Sequence, residues 1–154
     1  MVLDLEIAKK VLKEKNFSLI IVNSGKIIFQ SKNEGINDFL KAVENYGEEL
    51  KGSSVADSVV GKAIAMLCRY AKVKAVYALM ISEKGAEALR KGKIFFEFEE
   101  IVPAILNKKK DGICPFEKLV LNLEDEEESY KKIKEFLKSL LPEKFNGPQV
   151  SVYQ

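Results

Sequence analysis

The sequence predicts a single α/β domain, residues 1–154, built on a mixed sheet of four or five strands. The chain has 154 residues, the size of one ordinary domain, and can bury roughly two-thirds of the surface its unfolded form would expose. Short apolar runs rich in β-branched residues alternate with segments of helical spacing. The runs 73–81 and 94–98, joined by a helical segment 83–91, form a strand-helix-strand unit that requires parallel pairing. By contrast, Asn23-Ser24-Gly25-Lys26 has the turn chemistry of a tight antiparallel hairpin.

Taken in order, Leu3, Ile7, Ala8, Val11 and Leu12 share one helical face and predict a first helix over 3–15. Phe17-Ser-Leu-Ile-Ile-Val22 and Ile27-Ile-Phe29 are the hairpin strands. After the polar loop 31–35, Ile36, Phe39, Leu40, Val43 and Leu50 predict a second helix up to the break at Gly52. Ser53-Ser54 with Asp57 three residues on reads as a capping box. The series Val55, Val59, Val60, Ala63, Ile64, Leu67 and Tyr70 behind it predicts a long helix. The continuous run 73–81 is expected at the sheet's centre. A short helix is expected over 101–106, another starting at Cys114 with Pro115 at its first position, and a last one behind the acidic run 124–128. Pro142 should end it, with a loosely held tail.

Composition removes many reaction classes. There is no histidine, so this chain alone builds no Ser-His-Asp triad, Cys-His dyad or His-ligated metal. Two cysteines, Cys68 and Cys114, cannot supply a four-thiolate zinc site, and both are expected as free thiols, Cys68 as a core residue. Lys+Arg 25 against Asp+Glu 23 gives a net charge of +2, no footprint for nucleic acid. No apolar stretch is long enough to span a bilayer, and the acidic N-terminus lacks signal-peptide chemistry, so the expected location is cytoplasmic.

Ala56-x-x-x-x-Gly61-Lys62-Ala63 imitates a phosphate-binding loop, but Ala63 stands where a magnesium-binding hydroxyl is needed and no glycine-rich loop surrounds it. The predicted element order resembles that of cytidine deaminases, whose zinc ligands sit at two helix starts. Here Val55 stands where a His or Cys ligand would fall, Asp57 where the proton-shuttling Glu would fall, and Ile81-Ser-Glu-Lys-Gly-Ala86 where two cysteines are required.

More specifically, Ser54-Val-Ala-Asp-Ser-Val-Val-Gly-Lys-Ala63, Val76-Tyr-Ala, Ile81-Ser-Glu83, Glu100-Ile-Val-Pro103 and Asp111-Gly-Ile-Cys-Pro-Phe-Glu-Lys-Leu119 closely resemble an uncharacterised prokaryotic family, a domain of unknown function with the cytidine-deaminase-like fold. The resemblance covers about 16–121, with 122–154 as a C-terminal helix and tail. It implies a three-layer α/β/α sandwich without the deaminase zinc motifs, and no particular activity.

The ligand-binding candidates are Ser54, Asp57, Lys62, Ser82 and Glu83, placed by this reading at two helix N-termini whose N–H groups favour an anion. A nucleotide, ADP-ribose or another phosphorylated metabolite is the expected occupant, with no metal and no cofactor. The plainer reading is that Asp57 completes a capping box with Ser54 and that Glu83 complements a helix dipole. If the protein is an enzyme, Asp57, Glu83 or Cys114 are the catalytic candidates for a hydrolase or transferase. Asn107, Asp111, Cys114 and Glu117 form a second cluster, in which Asp111 and Glu117 are candidates for a hard cation. A structural, homo-oligomeric role is the third expectation, because the phenylalanine-rich strand 94–98 needs cover.

Overall fold

The computed structural model describes residues 3–140. Its elements are α1 (Leu3–Lys15), β1 (Leu19–Asn23), β2 (Lys26–Ser31), α2 (Ile36–Tyr46), β3 (Ser54–Val60), α3 (Lys62–Tyr70), β4 (Ala75–Ser82), α4 (Glu83–Lys91), β5 (Phe95–Val102), α5 (Pro115–Leu119) and α6 (Glu126–Ser139), with one 3-10 turn at Gly47–Leu50. Five strands form one mixed sheet in the order β2-β1-β3-β4-β5. β1 is antiparallel to both β2 and β3, while β3, β4 and β5 run parallel.

Three layers result. On one face α1 buries Leu5, Ala8 and Leu12 against Ile20, Val22, Ala56, Ala75 and Tyr77. The other face carries the larger core, in which Phe39, Leu40 and Val43 of α2, Ile64 and Leu67 of α3, Leu89 of α4 and Ile133 and Leu137 of α6 meet Val55, Val76 and Ala78 of the sheet. The tight turn forms as expected: Ser24 and Gly25 both take positive φ, and their N–H groups donate to the Asp4 carboxylate at 2.9 Å each.

Three expectations need correction. The helix expected from Ser54 starts only at Lys62, and Ser54–Val60 is a strand. It is also the central strand, so β3 and not β4 lies mid-sheet. A strand covered on both faces loses its alternation of apolar and polar positions, and its Val55, Val59 and Val60 then merge with the apolar face of the following helix into one false helical period. The helix expected at 101–106 does not form: β5 runs on to Val102, and the chain bends at Pro103 before a bridge between Leu106 and Ile113. The expectation that Pro142 ends the last helix falls outside the described residues.

Candidate functional site

The carboxyl ends of the parallel strands β3 and β4 deliver the chain into α3 and α4, so two helix N-termini lie side by side. At the head of α3 the linking residue Gly61 offers no side-chain cap. The cap comes from 55 residues away: the Glu117 carboxylate accepts the Lys62 N–H at 2.6 Å and the Ala63 N–H at 3.0 Å. Glu117 rides on the single-turn helix α5, which starts at Pro115 and is pinned by a 5.0 Å edge-to-face contact between Phe116 and Phe136. A Cβ on Gly61 would overlap this carboxylate. Burial pushes the Glu117 carboxyl up from its ordinary range, opposed by its two N–H bonds and by Lys62.

The second start is built more locally. Ser82 caps α4, its buried hydroxyl accepting the Gly85 N–H at 3.0 Å. Gly85 in turn lets the helices close: a Cβ there would come within 3.0 Å of the backbone of Val60 and Gly61. Lys62 is buried, its ammonium donating to the Leu121 carbonyl at 3.0 Å and lying 3.9 Å from Glu124. Burial moves its pKa down. Beside it a cavity of about 10 Å³, bounded by Lys62, Arg69, Lys84, Glu87, Ala88, Lys91 and Glu124, has room for about one water.

The five predicted ligand-binding residues are not all brought together. Lys62, Ser82 and Glu83 do stand at helix starts. Ser54 opens β3 at the far end of the strand, roughly 20 Å away at the usual rise per residue, with a buried hydroxyl that finds no partner. Asp57 lies mid-strand, between Leu19 and Ala78, so it caps no helix. Its carboxylate accepts the Val59 N–H at 3.2 Å, and burial, reinforced by the charge of Glu34, raises its pKa to about 7. Burial, with a contribution from the Asp57 charge, also raises the thiol pKa of Cys68 well above its ordinary value.

The second predicted cluster divides. Asp111 closes a turn with Asn107, whose side-chain amide donates to it at 2.9 Å, while Glu117 caps α3. These two carboxylates are therefore committed to different networks. Cys114 is the N-cap of α5, half-buried, and both cysteines are free thiols. Among the described residues no group of three or more Cys, Asp or Glu is arranged to hold a metal ion. The phosphate-loop imitation also resolves: one residue joins β3 to α3, leaving no loop to wrap a phosphate. The residue that sequence reasoning undervalued is Glu117, and its signal was a Pro-x-Glu helix start following a turn.

These features define an α/β/α sandwich whose crevice at the parallel-strand ends holds no metal-ligand set among the described residues and is closed by the chain's own glutamate. Residues 7–137 match the TM1506 domain of unknown function, DUF1893, and the chain belongs to that family. It is similar to the crystal structure of a DUF1893 family protein from Thermotoga maritima, with 32% identity, 86% of this chain and 88% of that chain covered, and a TM-score of 0.79. It is also similar to two deaminases. One is the diaminohydroxyphosphoribosylaminopyrimidine deaminase/5-amino-6-(5-phosphoribosylamino)uracil reductase of Thermotoga maritima, at 17% identity, 62% and 34% coverage and a TM-score of 0.46. The other is the dCMP deaminase of cyanophage S-TIM5, at 16%, 61% and 92%, and 0.43. No curated protein matches the chain in sequence. No helix of the described residues is long and apolar enough to cross a membrane.

Proposed function

We propose that the protein is a non-catalytic module that binds a nucleotide or a related phosphorylated small molecule at the head of α3, where Glu117 is the internal occupant that the ligand displaces. The observation that supports it is the pair of N–H groups of Lys62 and Ala63 converging on one carboxylate. Two donors aimed at a single anion at a helix N-terminus suit a phosphate oxygen as well as a carboxylate, and the helix dipole favours the greater charge. Lys62 and Lys84 flank the spot and repel one another, so an added anion relieves them. Glu117 fills the spot, so α5, which carries it, must shift for a ligand to enter.

The test is thermal melting of the wild type and Glu117→Gln against nucleosides, nucleotides and ADP-ribose at millimolar concentration. Phosphorylated ligands should raise the melting temperature, more in the variant than in the wild type, and nucleosides should not. A flat response from both folded proteins across the panel overturns the proposal.

One observation favours a hydrolase or transferase instead: the pKa of Asp57, about 7, lies where a general base works at neutral pH. Glu83 at the exposed head of α4 and Cys114 at the head of α5 would have to join it, and no hydrogen bond links the three among the described residues. On this reading Asp57→Asn abolishes turnover of a phosphorylated substrate; turnover that survives the substitution removes it.

A further inference from the structure

β5 is an edge strand, and no segment among the described residues pairs with its outer side. Edge strands usually defend themselves with charge, short length or a bulge. This one is eight residues long and keeps an unbroken register with β4. It also leaves Phe95 50%, Phe98 40% and Ile101 43% exposed. Two of its acids offer little defence, because α1 neutralises them: Lys9 holds Glu97 at 2.8 Å and Lys13 holds Glu99 at 3.3 Å.

We infer that β5 pairs antiparallel with β5 of a second copy of this chain, about a twofold axis at Phe98, making one continuous ten-stranded sheet. The order of residues along the strand selects the occupant and the register. Such an axis keeps each face of the sheet continuous, so opposed residues must share a face. Centred on Phe98, the pairing sets Phe98 against its own copy and Phe95 against Ile101 of the second copy, and the reverse. All three exposed apolar residues of the strand then meet apolar partners. A centre at Glu97 leaves Phe95 facing the Glu99 carboxylate, and a centre at Glu99 leaves Ile101 facing that of Glu97.

Charge supports the same register. Centred on Phe98, Glu100 falls opposite Phe96 of the second copy. Over that ring lies the Arg90 guanidinium, 5.6 Å from its centre. Neither Glu100 nor Arg90 has an ion-pair partner among the described residues, and the twofold supplies each with the other, twice. Glu97 likewise comes to face Glu99 of the second copy, each already carrying its lysine. The pairing is independent of any ligand at the head of α3.

Sedimentation or light scattering of the full chain tests it. The wild type should be a dimer. Glu100→Arg, an exposed change that leaves the fold intact by circular dichroism, should weaken association by about tenfold or more, and Phe98→Lys should yield monomer. Combining Arg90→Glu with Glu100→Arg should restore the dimer. A wild type that stays monomeric at high concentration overturns the inference. So does a dimer indifferent to Glu100→Arg and Phe98→Lys, or a charge-swapped double variant that is no better than Glu100→Arg alone.

Discussion

Gly61 lacks a side chain in the space that the Glu117 carboxylate fills, and each residue explains the other. Its φ of −102° is open to any residue, so the constraint is steric and not conformational. Gly61→Ala should therefore destabilise the fold by about 1–3 kcal/mol through overpacking. Glu117→Ala should cost a similar amount, roughly 1–3 kcal/mol, by leaving two N–H groups without their acceptor. In the double variant the alanine methyl enters space that the glutamate has left. Its loss should be clearly smaller than the sum of the singles, as read by urea denaturation. Strict additivity would show that the two residues do not share that space.

At the scale of elements, the separation of the α3 and α4 heads is fixed by Gly85, whose missing Cβ faces backbone that no rotamer change can move. Gly85→Ala should lower stability by about 1–3 kcal/mol and raise amide exchange at the start of α3 more than in α1, which packs on the opposite face. Uniform exchange along both helices would refute that placement. The same pair of helices shows what the sequence made legible. The hairpin, the parallel β4-α4-β5 unit and the start of α4 at Ser82-Glu83 could be read directly, since turn chemistry and a strand-to-helix change are local signals. The start of α3 could not. Gly61 gives a helix boundary no positive mark, and the Glu117 cap comes from a distant segment. The local pattern accordingly makes Asp57 part of a capping box, whereas it is a carboxylate inside the sheet. The length of β5 was missed for the opposite reason: an exposed edge strand of mixed Phe and Glu has little alternation to detect.

For the whole molecule, the consequence of seating Asp57 on the central strand is a dependence of stability on pH. Its pKa of 3.8 in a free chain becomes about 7 in the fold, chiefly through burial. Between those values the folded protein keeps a proton that the unfolded chain has released. Stability therefore falls as pH rises from about 4 to about 7 and levels off above, by at most roughly 4 kcal/mol. The upward shift of Glu117 acts in the same direction. Glu44 is shifted down by Lys134 and Tyr130, Glu99 by Tyr77 and Lys13, and Glu124 by Lys91 and Lys62, so their contributions are lost only as pH drops below the ordinary carboxylate range. Stability should peak in mild acid. Asp57→Asn keeps an oxygen for the Val59 N–H and removes the charge, so it should match the wild type near pH 4.5 and exceed it by a few kcal/mol at pH 8. Urea midpoints at the two pH values measure this. A wild type equally stable at both, or a variant weaker at pH 8, would mean that the Asp57 carboxylate is solvated in the folded protein and that the central strand is open to water.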